Sequence, residues 1–525
     1  MTSTQRFIAA AVTAPHSLAT TAGRDILAQG GSALEAMIAM AGVMAVVYPH
    51  RNGIGGDGAW LVREPRGKVH VIDASGMAGS GATSAPYRKA GYDDIPLRGP
   101  KAVLSVPGAV AGWDLALEMA RAFGGRLPLT DLLAPAIRHA RDGTAQSRSS
   151  AACLPSDFAD LSAQPGFAEA FLVEGKPAAP GSLRRAETLA GTLEQIAHAG
   201  LRDFYRGDAG REIAADMARA GVILQRRDLE KYTARLRKPV SLRFGHVTLF
   251  QPPPPASGLG LLLALGIHAR LGVKPRDEFA SVHALVEATK RALSLATPLC
   301  IDPAVLDEAP ALLLAPMIFE REAMEIARDR AAPMLRQALG NQNVWMGAID
   351  STGLAVSCCQ SLHGAYGSGV VLPRTGVLMH NRGASFSLDA RQPHALEPGR
   401  YPPAGLAPGL AVQDEGRIIA FGSGDVQIDA QIFLKIAADM GLAEALEAPR
   451  FRLAATPDAR EIGLCMEDRF DPSLIRALER AGHRIVLDGA PYAEAFAHGG
   501  AIARHRDGSV GAAHDPRADG GADGL

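Results

Sequence analysis

Residues 342–350, Gln-Asn-Val-Trp-Met-Gly-Ala-Ile-Asp, lie where helical periodicity gives way to strand alternation, and side chains able to do chemistry cluster just after them. Ser351, Thr352, Cys358, Cys359 and Ser361 are the nearest hydroxyls and thiols. Such a group attacks an acyl carbon only when a base activates it. Ser351 and Thr352 fall in Asp350-Ser351-Thr352-Gly353, where these residue types serve turns through local hydrogen bonds. His363, His380, Asp425 and Asp429 offer imidazoles and carboxylates for acid–base work. Their spacing matches no metal-ligand pattern, so no metal and no cofactor is expected. Arg51 and Arg382 can grip a carboxylate, because a guanidinium fork suits one, with a structural salt bridge as the competing role.

The elements that must position these groups are legible in part. Gly30-Gly31 ends one helix, and Ser32 with Glu35 three places on forms a capping box before the apolar run to Tyr48. Gly53-Ile54-Gly55-Gly56-Asp57-Gly58 matches a dinucleotide fingerprint formally. That fingerprint requires strand, glycines, then helix. Here the glycines follow a helix and precede the strand-like 59–62, so the run is a turn into a central strand. Helices are expected at 132–141, 209–220, 258–271, 281–297, 428–439 and 473–482, and a further helix is expected to end near 332–342. Strand alternation predicts a hairpin across Asp350–Gly353, with strand-rich segments continuing through 369–379 and 410–421.

A chain of 525 residues, 47% hydrophobic and 21% charged, buries a large core and is not disordered. Net charge is -1 with no long basic run, which argues against nucleic acid or an anionic membrane as partner. The apolar run 36–48 is too short to span a bilayer. Residues 1–7 do not read as a secretory signal, so a cytoplasmic location is expected. The five cysteines, Cys153, Cys300, Cys358, Cys359 and Cys465, are irregularly spaced and read as buried reduced thiols. Cys358 and Cys359 should point to opposite faces of their strand.

Several segments carry a wider likeness. They include Pro49-His50-Arg51-Asn52-Gly53-Ile54-Gly55-Gly56, Val106-Pro107-Gly108-Ala109-Val110-Ala111-Gly112, Phe204-Tyr205-Arg206-Gly207 and the Pro252–Gly258 run. His514-Asp515-Pro516-Arg517-Ala518-Asp519-Gly520-Gly521 closes the series. In this order they resemble the γ-glutamyltransferase family from about residue 9 to the last residue. The resemblance implies an α/β fold, a four-layer α/β/β/α sandwich of N-terminal-nucleophile hydrolase type. It would be one intertwined fold with a larger segment 1–342 and a smaller segment 343–525.

In that family a threonine opens the second segment, is freed by self-cleavage, and uses its own α-amine as base. Here the position is Asn343, which has no hydroxyl and cannot launch the acyl shift, so the Gln342–Asn343 bond should stay intact. Ser361 matches a supporting hydroxyl residue. The oxyanion glycines are replaced in part, by Gly424-Asp425-Val426, and an acid there would repel an oxyanion. The paired serines read Ala404-Gly405. Ser75 replaces the arginine for a glutamyl carboxylate, Ser385 the acid for its amine, and His363 a neighbouring asparagine.

Trp345-Met346-Gly347 and Asn381-Arg382-Gly383-Ala384-Ser385-Phe386-Ser387 resemble the subgroup containing oxamate amidohydrolase. The resemblance therefore implies a small amide or acid as partner molecule, and leaves a homodimer open. Two readings of function remain at this point. One is an amidohydrolase or acyltransferase for a small non-glutamyl amide. The other is a non-catalytic homologue that binds a small ligand or pairs with an active paralogue.

Overall fold

The computed structural model describes residues 3–153, 158–274, 277–307, 309–333, 343–455 and 461–525. The helix expected to end near 332–342 and the Gln342–Asn343 junction fall largely or partly outside the described residues.

Two seven-stranded antiparallel sheets form the centre. One runs, edge to edge, Gly521–Gly524, Ala11–Ala14, Val344–Ile349, Ala355–Ser361, Asp57–Arg63, Val69–Ala74 and Arg235–Arg237. The other runs Gln5–Phe7, Val510–His514, Gly500–Arg504, Ile418–Gly422, Gly409–Gln413, Val247–Gln251 and Val240–Phe244. Residues on both sides of 343 supply strands to both sheets, so the two chain segments are interleaved.

Alternation decides which side chains meet between the sheets. Ala59, Leu61, Trp345, Cys359, Leu410 and Ile502 share one buried cluster there. The opposite face of the first sheet packs Val62, Met346 and Cys358 against helices including Ala33–Val47, Ala109–Ala122 and Leu129–Asp142. The outer face of the second sheet packs against Gly258–Arg270, Glu278–Ala296, Val426–Ala437 and Pro472–Arg480. The layers are therefore α/β/β/α, and Cys358 and Cys359 do enter different cores.

The helix Ala33–Val47 is buried all round, as a helix without a polar face must be. Its capping box forms, with Glu35 N–H donating to Ser32 Oγ at 3.3 Å and Ser32 N–H to Glu35 Oε2 at 2.7 Å. The expected hairpin also forms, with Trp345 opposite Cys359 and Ile349 opposite Ala355. Residues 369–379 differ from expectation. They make an isolated bridge, Val371 to Leu378, rather than a strand-rich run. Pro373 supplies no N–H, and Gly376 turns the chain at φ +66 where a Cβ would strike Leu189 N at 2.5 Å. The segment is thus a tight loop pressed on a helix. No helix among the described residues is long and apolar enough to cross a membrane.

Candidate functional site

Register gathers the singled-out residues at one end of the first sheet. Val344 lies opposite Gln360, Ser361 opposite Asp57, and Gly58 opposite Ala74. One step along each ladder, Asn343, Ser361, Asp57 and Ser75 form a row across four neighbouring strands. Neighbouring strands are about 4.8 Å apart, so Asn343 and Asp57 are separated by about 10 Å. Trp345, Cys359 and Leu61 place this face between the sheets, and all four row residues are buried.

Asn343 ties the row to the second sheet. Its Nδ2 donates to the carbonyls of Gly405, at 2.7 Å, and Gly424, at 3.0 Å. Both amide hydrogens are used, which identifies Oδ1 as the remaining atom, and this acceptor is buried without a hydrogen-bond partner. Gly424 has φ +77, and a Cβ there would sit 2.6 Å from Asn343 Cβ. Only glycine tolerates both demands.

Asp425 is the N-cap of Val426–Ala437, its Oδ1 accepting Gln427 N–H at 3.0 Å. Its carboxylate thus has a structural duty invisible in the sequence. Oδ2 lies 3.9 Å from Arg452 Nε. Burial raises the Asp425 carboxyl above the usual range. Burial likewise pushes Asp429 up to about 8, with the Ser423 hydroxyl donating to its Oδ1 at 2.7 Å. Val426 is the first residue of the helix and buried, facing Gly260.

The far end of the row is an ion-pair cluster around Asp57. Arg382, fully buried, donates from Nε to Asp57 Oδ2 at 2.6 Å. Gly76 and Gly108 N–H groups donate to Asp57 Oδ1 at 3.2 and 3.3 Å. His380 Nε2 faces the Ser105 carbonyl at 3.0 Å and must be protonated, so Nδ1 accepts the Arg382 N–H at 3.4 Å. His363 Nδ1 faces Arg382 Nη1 at 3.5 Å, and Nε2 faces Ser385 Oγ at 3.4 Å. Burial, then the Arg382 charge, push His363 down to about 3, so its ring is neutral. Arg382 Nη2 is buried with no hydrogen-bond partner.

The histidines therefore face Asp57 and Arg382, and no hydrogen bond or ion pair among the described residues joins them to Asp425 or Asp429. Arg51 stands apart from Arg382, its Nη2 paired with Glu494 Oε2 at 3.1 Å. Protein carboxylates thus occupy both arginines that the sequence offered for a ligand, although Arg382 keeps a free nitrogen. Among the described residues, ligand atoms close enough to share a metal occur at His283, Glu287 and His483, away from the row. Glu287 there is already paired with Lys290 at 2.6 Å.

The chain matches gamma-glutamyltranspeptidase over residues 19–525. It is 43% identical to an oxamate amidohydrolase proenzyme of Klebsiella pneumoniae, over 98% of each chain. The chain belongs to the γ-glutamyltranspeptidase family. It is also 30% identical to a glutathione hydrolase proenzyme of Escherichia coli, over 95% of this chain and 89% of that one. A solved cephalosporin acylase from Bacillus halodurans superposes with a TM-score of 0.91 at 29% identity, covering 100% of this chain and 97% of that one. The fold is accordingly that of the N-terminal-nucleophile hydrolases.

Set in this family, the remaining positions do local work. Ser361 Oγ accepts His363 N–H at 2.8 Å, closing the turn that holds His363 at φ +75. Asn381 spends its amide on Gly364 N–H and the Leu97 carbonyl, at 2.9 and 3.0 Å. Ser75 N–H donates to Asp73 Oδ1 at 3.1 Å, and Ala404 N–H to the Pro255 carbonyl at 2.9 Å. Sequence reasoning missed Asp57, read as part of a turn, and singled out Gly405 for its lack of a hydroxyl, not for the carbonyl that Asn343 uses. An acid directly after a glycine run and before an apolar strand was the available signal for Asp57.

Proposed function

We propose that this protein is an amidohydrolase-type member of the γ-glutamyltranspeptidase family that recognises a small, non-glutamyl amide or acid and does not cut its own chain before residue 343. In this reading it binds its ligand without covalent turnover. The observation that carries it is the Asn343 carboxamide, bound through both hydrogens to Gly405 and Gly424 and offering no hydroxyl. What it leaves for a ligand is one buried acceptor, Oδ1. At the far end of the row, Arg382 Nη2 offers a charged donor suited to a carboxylate. An amide at one end and a carboxylate at the other is the chemistry of a compact amide-acid, in keeping with the relative named for oxamate.

Intact-mass spectrometry of the purified chain tests the processing claim. One species near 54.9 kDa is expected, and two fragments split before residue 343 would overturn it. Calorimetry with oxamate tests the ligand class, with binding expected in the native chain and lost in Arg382→Met. Turnover is a second reading, favoured by the 43% identity over nearly the whole chain. Ammonia release from oxamate by the uncut chain would establish it.

A further inference from the structure

Across the first sheet from the row, on its helical side, lies a cavity of about 450 Å³ that the proposed function does not use. That volume suits a small organic ligand. Ile54, Phe171, Leu189, Val371 and Leu378 give it an apolar wall, and Asn52 and Arg184 also line it.

The orientation of Asn52 is fixed by a chain of hydrogen bonds. The Trp113 indole can only donate, and it does so to Gln360 Oε1 at 2.9 Å. Gln360 therefore presents Nε2, which donates to Asn52 Oδ1 at 2.6 Å. What remains of Asn52 is its Nδ2, a donor with no partner on a fully buried residue. A ligand acceptor that reached this nitrogen would give it the partner it lacks.

Arg184, which keeps partial exposure, differs from the buried arginines. Arg51, Arg382, Arg450 and Arg517 each face a carboxylate, from Glu494, Asp57, Asp515 and Glu467 respectively. Arg184 has no carboxylate partner among the described residues. One of its nitrogens donates to the Val46 carbonyl at the end of the helix Ala33–Val47, and its guanidinium lies 5.6 Å from the Phe171 ring centre. Burial lowers it to about 10. Glu169 and Glu187 also line the cavity with exposed side chains, and their charge disfavours polyanions such as phosphates.

We propose that this cavity is a second binding site, for a monocarboxylic acid with an apolar body, its carboxylate held by Arg184 and Asn52. The site is independent of the row, since Gln360 and Ser361 point to opposite faces of their strand.

Calorimetry with phenylacetate provides the test. Saturable binding is expected, weakened tenfold or more in Arg184→Met and for the neutral phenylacetamide, and unchanged by saturating oxamate. Absence of saturable binding, or full affinity retained in Arg184→Met, would overturn the proposal. Crystals soaked in p-bromophenylacetate give an answer that needs no variant. A bromine anomalous peak in this cavity supports the site, whereas no peak, or one only elsewhere, rejects it.

Discussion

Asn343 and Gly424 hold each other in place from both sides. The Asn343 carboxamide donates to the Gly424 carbonyl at 3.0 Å, while the missing Gly424 side chain leaves the space that Asn343 Cβ fills, since an added Cβ would approach it to 2.6 Å. Residue 343 is thereby a structural tie between two sheets.

Asn343→Leu keeps the volume and removes the donor. The Gly405 and Gly424 carbonyls lose their side-chain partner, so stability should fall by about 1–3 kcal/mol. Urea denaturation reads this directly. An unchanged midpoint would mean that the two bonds contribute nothing.

Gly424→Ala should be more damaging than an ordinary surface Gly→Ala. A left-handed backbone costs an L-residue about 1–2 kcal/mol, and the methyl group also displaces Asn343. A loss of at least about 2 kcal/mol is expected by the same assay, and a stabilised variant would contradict the geometry.

Asn343→Thr supplies a hydroxyl, while Asp425, Val426, Ala404 and Gly405 stay as they are. The expected result is still a single chain by intact mass. Fragmentation at residue 343 would show that this one residue alone blocks processing.

Arg382→Met strips the counter-ion from a buried Asp57 and should destabilise by about 3–5 kcal/mol. Adding Asp57→Asn should recover part of that loss. If the double variant is no better than the single one, the ion pair is not what Arg382 contributes.

Asp429 governs a pH response. Burial lifts its folded-state pKa to about 8, whereas an unfolded aspartate titrates near about pH 4. The native chain then binds the extra proton between those limits, so this contribution is full in acid and is lost as pH rises from about 4 to about 8. Asp429→Asn should flatten stability across that window, measured by urea midpoints at a series of pH values. An identical slope in the variant would place the titration elsewhere.

Much of this protein was readable along the chain, for identifiable physical reasons. The capping box at Ser32 and Glu35, the hairpin around Asp350–Gly353 and the helix following Gly258 rest on interactions a few residues long, which local sequence encodes. Family membership was also written in the order of its motifs, and the absent hydroxyl at Asn343 needs no structure to see. Other features were decided by distant partners. Residues 369–379 have strand composition, but a helix at Leu189 and the bend at Gly376 leave room for a bridge alone. Asp425 caps the helix that starts at Val426 through a bond two residues long, while its other oxygen faces Arg452, 27 residues on.

Arg51 and Arg382 were equivalent in sequence. Glu494, 443 residues from Arg51, and Asp57, 325 residues from Arg382, gave them different partners. The row Asn343, Ser361, Asp57 and Ser75 exists only because strands from both chain segments pair in one register, and register is set by which faces the whole core buries. The sequence alone thus determined the local elements, the family and the chemistry that residue 343 lacks. Tertiary structure decided which charges meet, which polar atoms remain unpaired, and where a ligand can bind, because those depend on pairings between segments hundreds of residues apart.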